Sequence, residues 1–206
     1  MWEIRFDSNA LRPKYAFIKN AAVWSKLLSQ WARVKMKFQS FLFLMQNNIF
    51  IHWRVRKIIL QFAGLKIGNN TIIEPQCSFA SANIEFGNDV YVNKCFFVDG
   101  FGLCRIGSHV RIGPGVKLIT STHDITNNPM ARASHDVKHF PITIEDGVWL
   151  GSSSIVLPGC IVRTGCVVGA GALITRDTEP NGLYLGVPAR RVRDLPISAA
   201  GGGNPG

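Results

Sequence analysis

Residues 144–179 read as six consecutive blocks of six: IEDGVW from Ile144, LGSSSI from Leu150, VLPGCI from Val156, VRTGCV from Val162, VGAGAL from Val168 and ITRDTE from Ile174. An aliphatic residue opens every block, and two residues before each stands Ile142, Val148, Ser154, Cys160, Cys166 or Ala172. A period of six fits neither the 3.6-residue repeat of a helix nor the alternation of a half-buried strand. It suits very short strands joined by like turns and stacked into a solenoid, each strand sending one aliphatic side chain into a shared core.

The lattice extends toward the N-terminus. Its apolar positions are 67, 73 and 79, then 86, 92 and 98, then 106, 112 and 118, with one and then two extra residues between the groups. Three such blocks make one turn of a triangular prism, so residues 67–179 hold about five coils. Stacking gives each rung a neighbour and makes the array self-supporting. Between Leu118 and Ile144 the spacing jumps to 26. The segment ITSTHDITNNPMARASHDVKHFP is therefore expelled from the prism, and it carries three of the five histidines, His123, His135 and His139. Long loops on rigid scaffolds are where chemistry tends to sit.

Charge divides the chain as sharply as the repeat does. Of a net +10, residues 1–66 contribute twelve Lys/Arg against Glu3 and Asp7, whereas residues 67–206 are balanced. Residues 14–37 predict a basic helix with Phe17, Ile18, Ala21, Trp24, Leu28, Trp31 and Ala32 on its apolar side. The apolar run Phe41–Met45 and the breaker Gln46-Asn47-Asn48 follow it. Ile51, Val55, Ile58, Ile59 and Phe62 then recur at helical spacing opposite Arg54, Lys57 and Gln61, with Gly64 as an end cap. The region 1–66 reads as a helical cap on the first coil and, compatibly, as a basic amphipathic surface for anionic lipid. No nucleic-acid-binding motif accompanies the charge.

The start MWEIRFDSN lacks an apolar signal core, and Phe38–Trp53 is too short and polar to span a bilayer. The expectation is a cytoplasmic protein, peripheral at most to the inner membrane face. Five cysteines, an odd number without a CxxC, argue against a disulfide framework or a structural zinc. Cys77, Cys104, Cys160 and Cys166 share the small inward site of the lattice, while Cys95 lies off it. The organisation expected is a helical region 1–66, a solenoid 67–196 and a flexible tail 197–206.

The THD of the expelled loop, IEDGVWLG, PGCIV, VGAGALITRD and the terminal GVPARRVR together resemble the hexapeptide-repeat acyltransferases over residues 67–195. The similarity is to O-acetyltransferases of the galactoside and maltose type, and most to those of exopolysaccharide (colanic-acid-like) biosynthesis. The resemblance implies an all-β, left-handed parallel β-helix with an extended catalytic loop. It also implies a homotrimer with active sites in clefts between prisms, and acetyl-CoA as acyl donor with no metal. The acceptor would be a sugar hydroxyl of a polysaccharide or its precursor.

Acetyl transfer to a hydroxyl needs a base, an oxyanion stabiliser and a cradle for coenzyme A. By the resemblance, His123 of Ser121-Thr122-His123-Asp124 is the base, with either Asp124 or Asp99 to orient it. Asn93 of Tyr91-Val92-Asn93 contacts the oxyanion or acceptor, and Tyr91 and Asp99 bind the acceptor. Trp149, Gly151, Ser152 and Ala170, with Gly169 and Gly171, line the pantetheine arm, and Thr175, Arg176, Arg190 and Arg193 meet the nucleotide end. His135 and His139 are expected to be ordinary loop residues. Other readings stay open: an N-acetyltransferase of an amino sugar or antibiotic, a zinc enzyme on the same prism, or a non-catalytic trimeric scaffold.

Overall fold

The computed structural model describes residues 21–197, so Phe17 and Ile18 and nearly all of the expected tail lie outside the described residues. Five complete coils are present. They comprise β1 (Lys66–Ile67), β2 (Ile72–Ile73) and β3 (Ser78–Phe79); β4 (Ile84–Phe86), β5 (Tyr91–Val92) and β6 (Phe97–Val98); and β7 (Cys104–Ile106), β8 (Arg111–Ile112) and β9 (Lys117–Leu118). After the hairpin β10 (Ser121–Ile125) and β11 (Ala133–His139) come β12 (Ile142–Ile144), β13 (Trp149–Leu150) and β14 (Ile155–Val156), then β15 (Ile161–Val162), β16 (Val167–Val168) and β17 (Leu173–Ile174). A partial sixth coil, β18 (Gly182–Leu185), adds a rung beyond the repeat, and β19 (Arg190–Asp194) turns back antiparallel along it.

The strands stack into three parallel faces. The first is β1-β4-β7-β12-β15, the second β2-β5-β8-β13-β16-β18 and the third β3-β6-β9-β14-β17. Every aliphatic position of the lattice is buried, from Ile67 at 9% exposure to Leu150 and Val168 at 0%. The four lattice cysteines are buried as well, whereas Cys95 lies at an exposed corner. Ser154 occupies the same inward site, and its Oγ is buried without a hydrogen-bond partner.

Turning a corner within a six-residue block requires one residue with left-handed backbone. Between the first and second faces Asn70, Asp89 and His109 adopt φ of 53°, 54° and 59°, and Gly165 takes the same place at 68° without a Cβ penalty. Side chains lock that corner from rung to rung. Asn88 Oδ1 accepts from the Asn69 N–H at 2.8 Å, Ser108 Oγ from the Asn88 N–H at 3.1 Å, and Asp146 Oδ1 from the Ser108 N–H at 2.7 Å.

Two helices precede the prism, α1 (Ala21–Gln46) and α2 (Trp53–Phe62). Helix α1 does not end near residue 37 but continues through the Phe41–Met45 run. The chain divides into two units, Met1–Gln39 and Ser40–Gly206. Within the second, Phe43 meets Phe79 with ring centroids 5.8 Å apart, and Gln46 Nε2 donates to the Cys77 carbonyl at 2.8 Å. Helix α2 closes as the Gly64 position predicts: the Gly64 N–H donates to Gln61 O at 2.9 Å and the Leu65 N–H to Leu60 O at 3.1 Å, with Gly64 at φ 105°.

The side that α2 presents to the prism is not the apolar stripe read from its sequence. Leu60 and Arg56 are buried, while Val55, Ile58 and Phe62 are 49%, 51% and 77% exposed. Arg56 spends its donors on backbone carbonyls: Gln46 at 2.8 Å, Asn48 at 3.0 Å, Ile51 at 2.9 Å and Ile73 at 3.1 Å. It thereby ties the end of α1, the connector and the first coil into one joint.

Replacing Arg56 by Met strands those carbonyls, and we expect a loss of about 2–3 kcal/mol in urea unfolding; a change below about 0.5 kcal/mol would contradict the joint. Burial pushes the Cys77 and Cys104 thiols up to about 12. A thiol-reactive probe on the native protein is therefore expected to label Cys95 alone among the five cysteines, and all five after denaturation.

Candidate active site

The expelled segment is an antiparallel hairpin, with Ser121 opposite His139, Thr122 opposite Lys138 and His123 opposite Val137. It leaves the third corner of the prism, between the third and first faces. Asp99, at the same corner one coil earlier, holds its root. The buried carboxylate accepts from the Thr120 N–H at 3.0 Å, the Ser121 N–H at 3.0 Å and the Thr120 hydroxyl. Gly102 completes the root: its N–H donates to Thr120 Oγ1 at 2.9 Å, and a Cβ there would lie 2.6 Å from Phe140 O. Phe101 packs on His139 at 5.5 Å, and His139 Nδ1 lies 3.0 Å from Ser121 Oγ. The Gly100-Phe101-Gly102 sequence thus shapes a seat for the hairpin.

His123 is exposed, and its Nδ1 lies 2.7 Å from the Ser134 carbonyl across the hairpin. A carbonyl only accepts, so Nδ1 carries the proton and the neutral ring keeps its lone pair on Nε2. Neither expected carboxylate orients the ring within the chain. Asp124 pairs with Lys138 at 2.6 Å, and Asp99 is committed to the loop root.

A second group gathers at the corner between the second and third faces. Asn93 follows β5 there, and Gly151-Ser152 and Gly169-Ala170 follow β13 and β16 on the same edge. Asn93 Oδ1 accepts from the Lys94 N–H at 2.8 Å, which leaves its Nδ2 to donate elsewhere. Ser152 and Ala170 are exposed. Gly151 is demanded by stacking alone, since a Cβ would lie 2.6 Å from Ala170 N. Trp149 projects from the second face, 55% exposed, and half-buried Tyr91 lies on the same face with its hydroxyl 3.3 Å from Glu74 Oε1. Desolvation, reinforced by Glu74, raises the Tyr91 pKa and keeps the hydroxyl a donor.

A third group sits at the C-terminal end of the prism. Thr175, Arg176 and Arg190 line one cavity of about 320 Å³ together with Tyr184 and Arg191. Arg191 is occupied structurally, bonding Asp194 at 2.8 Å and the carbonyls of Glu179 and Pro180 at 3.0 Å. Arg193 lies outside the residues lining the cavity; it pairs with Leu183 in the β18–β19 ladder, and its side chain makes no hydrogen bond or ion pair among the described residues. The sequence reading assigned Arg176, Arg190 and Arg193, and not Arg191, to the nucleotide end; the contacts of Arg191 with the 179–181 turn give that residue a structural use. Among the described residues no three His, Cys, Asp or Glu side chains gather to hold a metal ion.

The Asp99 carboxyl titrates below its ordinary value: burial works against this, and the hydrogen bonds from Thr120 and Ser121 overcome it. A depressed carboxylate stabilises the fold above its unfolded value and loses that contribution as pH falls through the folded one. Asp99→Asn is expected to cost about 2 kcal/mol near neutrality, with the difference from wild type shrinking below about pH 4. Thermal melts of both proteins across pH check this, and an undiminished gap at acid pH would contradict it.

Residues 141–176 match the model of the bacterial transferase hexapeptide family (six repeats). The Escherichia coli galactoside O-acetyltransferase is 34% identical over 131 residues, 63% of each chain. A Staphylococcus haemolyticus protein provisionally named an acetyltransferase is 35% identical over 69% of this chain and 73% of its own. A galactoside acetyltransferase solved in complex with coenzyme A superposes with a TM-score of 0.72 at 27% identity, covering 80% of this chain and 82% of that one. The chain spans 59–64% of the length of the first curated relatives that it matches. With its prism a left-handed parallel β-helix, the chain belongs to the hexapeptide-repeat acetyltransferase family.

Proposed function

We propose that the chain is an acetyl-CoA-dependent O-acetyltransferase that modifies a sugar hydroxyl of a cell-surface polysaccharide or its precursor. The observation that carries this reading is His123, exposed on the hairpin with its tautomer set by the Ser134 carbonyl at 2.7 Å. Nε2 removes the acceptor proton as the hydroxyl oxygen attacks the thioester carbon. The tetrahedral oxyanion receives a hydrogen bond from the free amide N–H of Asn93. Collapse breaks the C–S bond, and the imidazolium returns its proton to the departing thiolate.

Acetyl-CoA as donor is supported by the coenzyme A bound to the galactoside acetyltransferase relative. The pantetheine arm runs along Trp149, Ser152 and Ala170, and the nucleotide phosphates meet Arg176, Arg190 and Arg193 in charge-assisted contacts. The galactoside relatives support a sugar hydroxyl as acceptor, with Tyr91 contacting it. Asp99 acts on the acceptor through the hairpin root that it holds, because its own oxygens are engaged. His123 leaves the prism one corner away from Asn93 and Ser152, so a complete set suits a cleft between two chains, and we infer a homotrimer. The basic region 1–66 favours a lipid-linked acceptor reached at the inner membrane face.

His123→Ala is expected to lower acetyl-CoA turnover by about 10²–10⁴-fold while the mass by light scattering stays that of wild type. Turnover within a few-fold of wild type would remove His123 from the mechanism. The acceptor follows from the same assay across galactosides, amino sugars and lipid-linked sugars, and a preference for an amine would replace the O-transfer reading.

A further inference from the structure

Helix α2 turns Leu60 and Arg56 to the prism and leaves its apolar stripe outside. Leu60 and the adjoining Ala63 pack into the core, while Val55, Ile58 and Phe62 lie on the opposite side at helical spacing, each about half exposed or more. The connector ahead of the helix adds Ile49 and Phe50, 62% and 89% exposed. Large apolar side chains open to water along one helix and its connector mark an interaction surface.

Charge selects the partner. No acidic residue occurs between Asp7 and Glu74, and exposed Arg54 stacks over Trp53 at 5.1 Å beside the apolar stripe. A second copy of the chain would bring positive charge to positive charge. An anionic bilayer offers hydrocarbon to the aromatic tips and phosphate to the bases. Among the described residues no helix is long and apolar enough to cross a membrane, so the fitting mode is docking on the surface.

The geometry points to the outer face of α2 and its connector, centred on Phe50, Val55, Ile58 and Phe62 and flanked by Arg54, as a docking surface for an anionic phospholipid bilayer. This gives the membrane contact of the proposed function its residues, and it is tested without any acetyl transfer, so the two fail separately. Side chains that neither the core nor the site requires do the docking, with shallow insertion beneath the headgroups.

The test floats the full chain with vesicles of phosphatidylglycerol and phosphatidylcholine, and with phosphatidylcholine alone. Wild type is expected to float with the anionic vesicles only and less at high salt, and I58E/F62E to bind at least about tenfold more weakly. Should that variant melt early, Phe50→Ser carries the test, since this side chain is 89% exposed, with a several-fold loss expected. I58L/F62L should bind as wild type does. Absent binding of wild type, equal binding by I58E/F62E or Phe50→Ser, or a smaller assembly mass for those variants without vesicles would overturn the proposal, the last by making the face a contact between copies.

Discussion

Unbroken register between coils is the constraint on which the rest of the molecule depends. Each rung hydrogen-bonds to the rungs on either side, as when the Tyr91 N–H donates to Val110 O at 3.0 Å and the Arg111 N–H to Val148 O at 3.0 Å. A residue's place in its block of six therefore decides its face, its corner and whether it points inward. A one-residue slip would carry the aliphatic column to solvent. The prism tolerates an insertion of over twenty residues because β12 resumes pairing with β7 in register, Ile142 to Cys104 and Ile144 to Ile106.

This regularity serves two irregular neighbours. At one corner Asp99 and Gly102 convert the break into a rooted hairpin that fixes the His123 ring. At the far end β18 and β19 fold back so that Thr175, Arg176 and Arg190 share a cavity. The edge of Ser152 and Ala170 runs along the rungs between them at a spacing that the lattice sets.

The inward columns were legible because they repeat locally: a block of six shows its own inward residue, and the cysteines fall on it. The break between Leu118 and Ile144 was legible as a failure of the count. What escaped is non-local. The hairpin strands pair only with each other, so no period announces them, and the tie of Asp99 to Thr120 joins residues 21 apart. The Arg56 joint escaped for the same reason, because a charge read on a helix suggests a solvated face until four carbonyls from elsewhere are seen to converge on it. Helix α2 forms and closes where the sequence predicts. Its apolar spacing is real, but that face looks away from the core. The partial sixth coil carries no six-residue block, since Tyr184 enters the core from a longer strand.

In the proposed trimer His123 of one chain works with Asn93 of another. The most direct measurement co-expresses the H123A and N93A chains with different affinity tags and assays only assemblies purified through both. In such mixed trimers one cleft in three regains an intact pair, so about a third of the wild-type rate is predicted where each variant alone is inactive. No recovery above the separate variants would contradict it, and would return the whole site to a single chain.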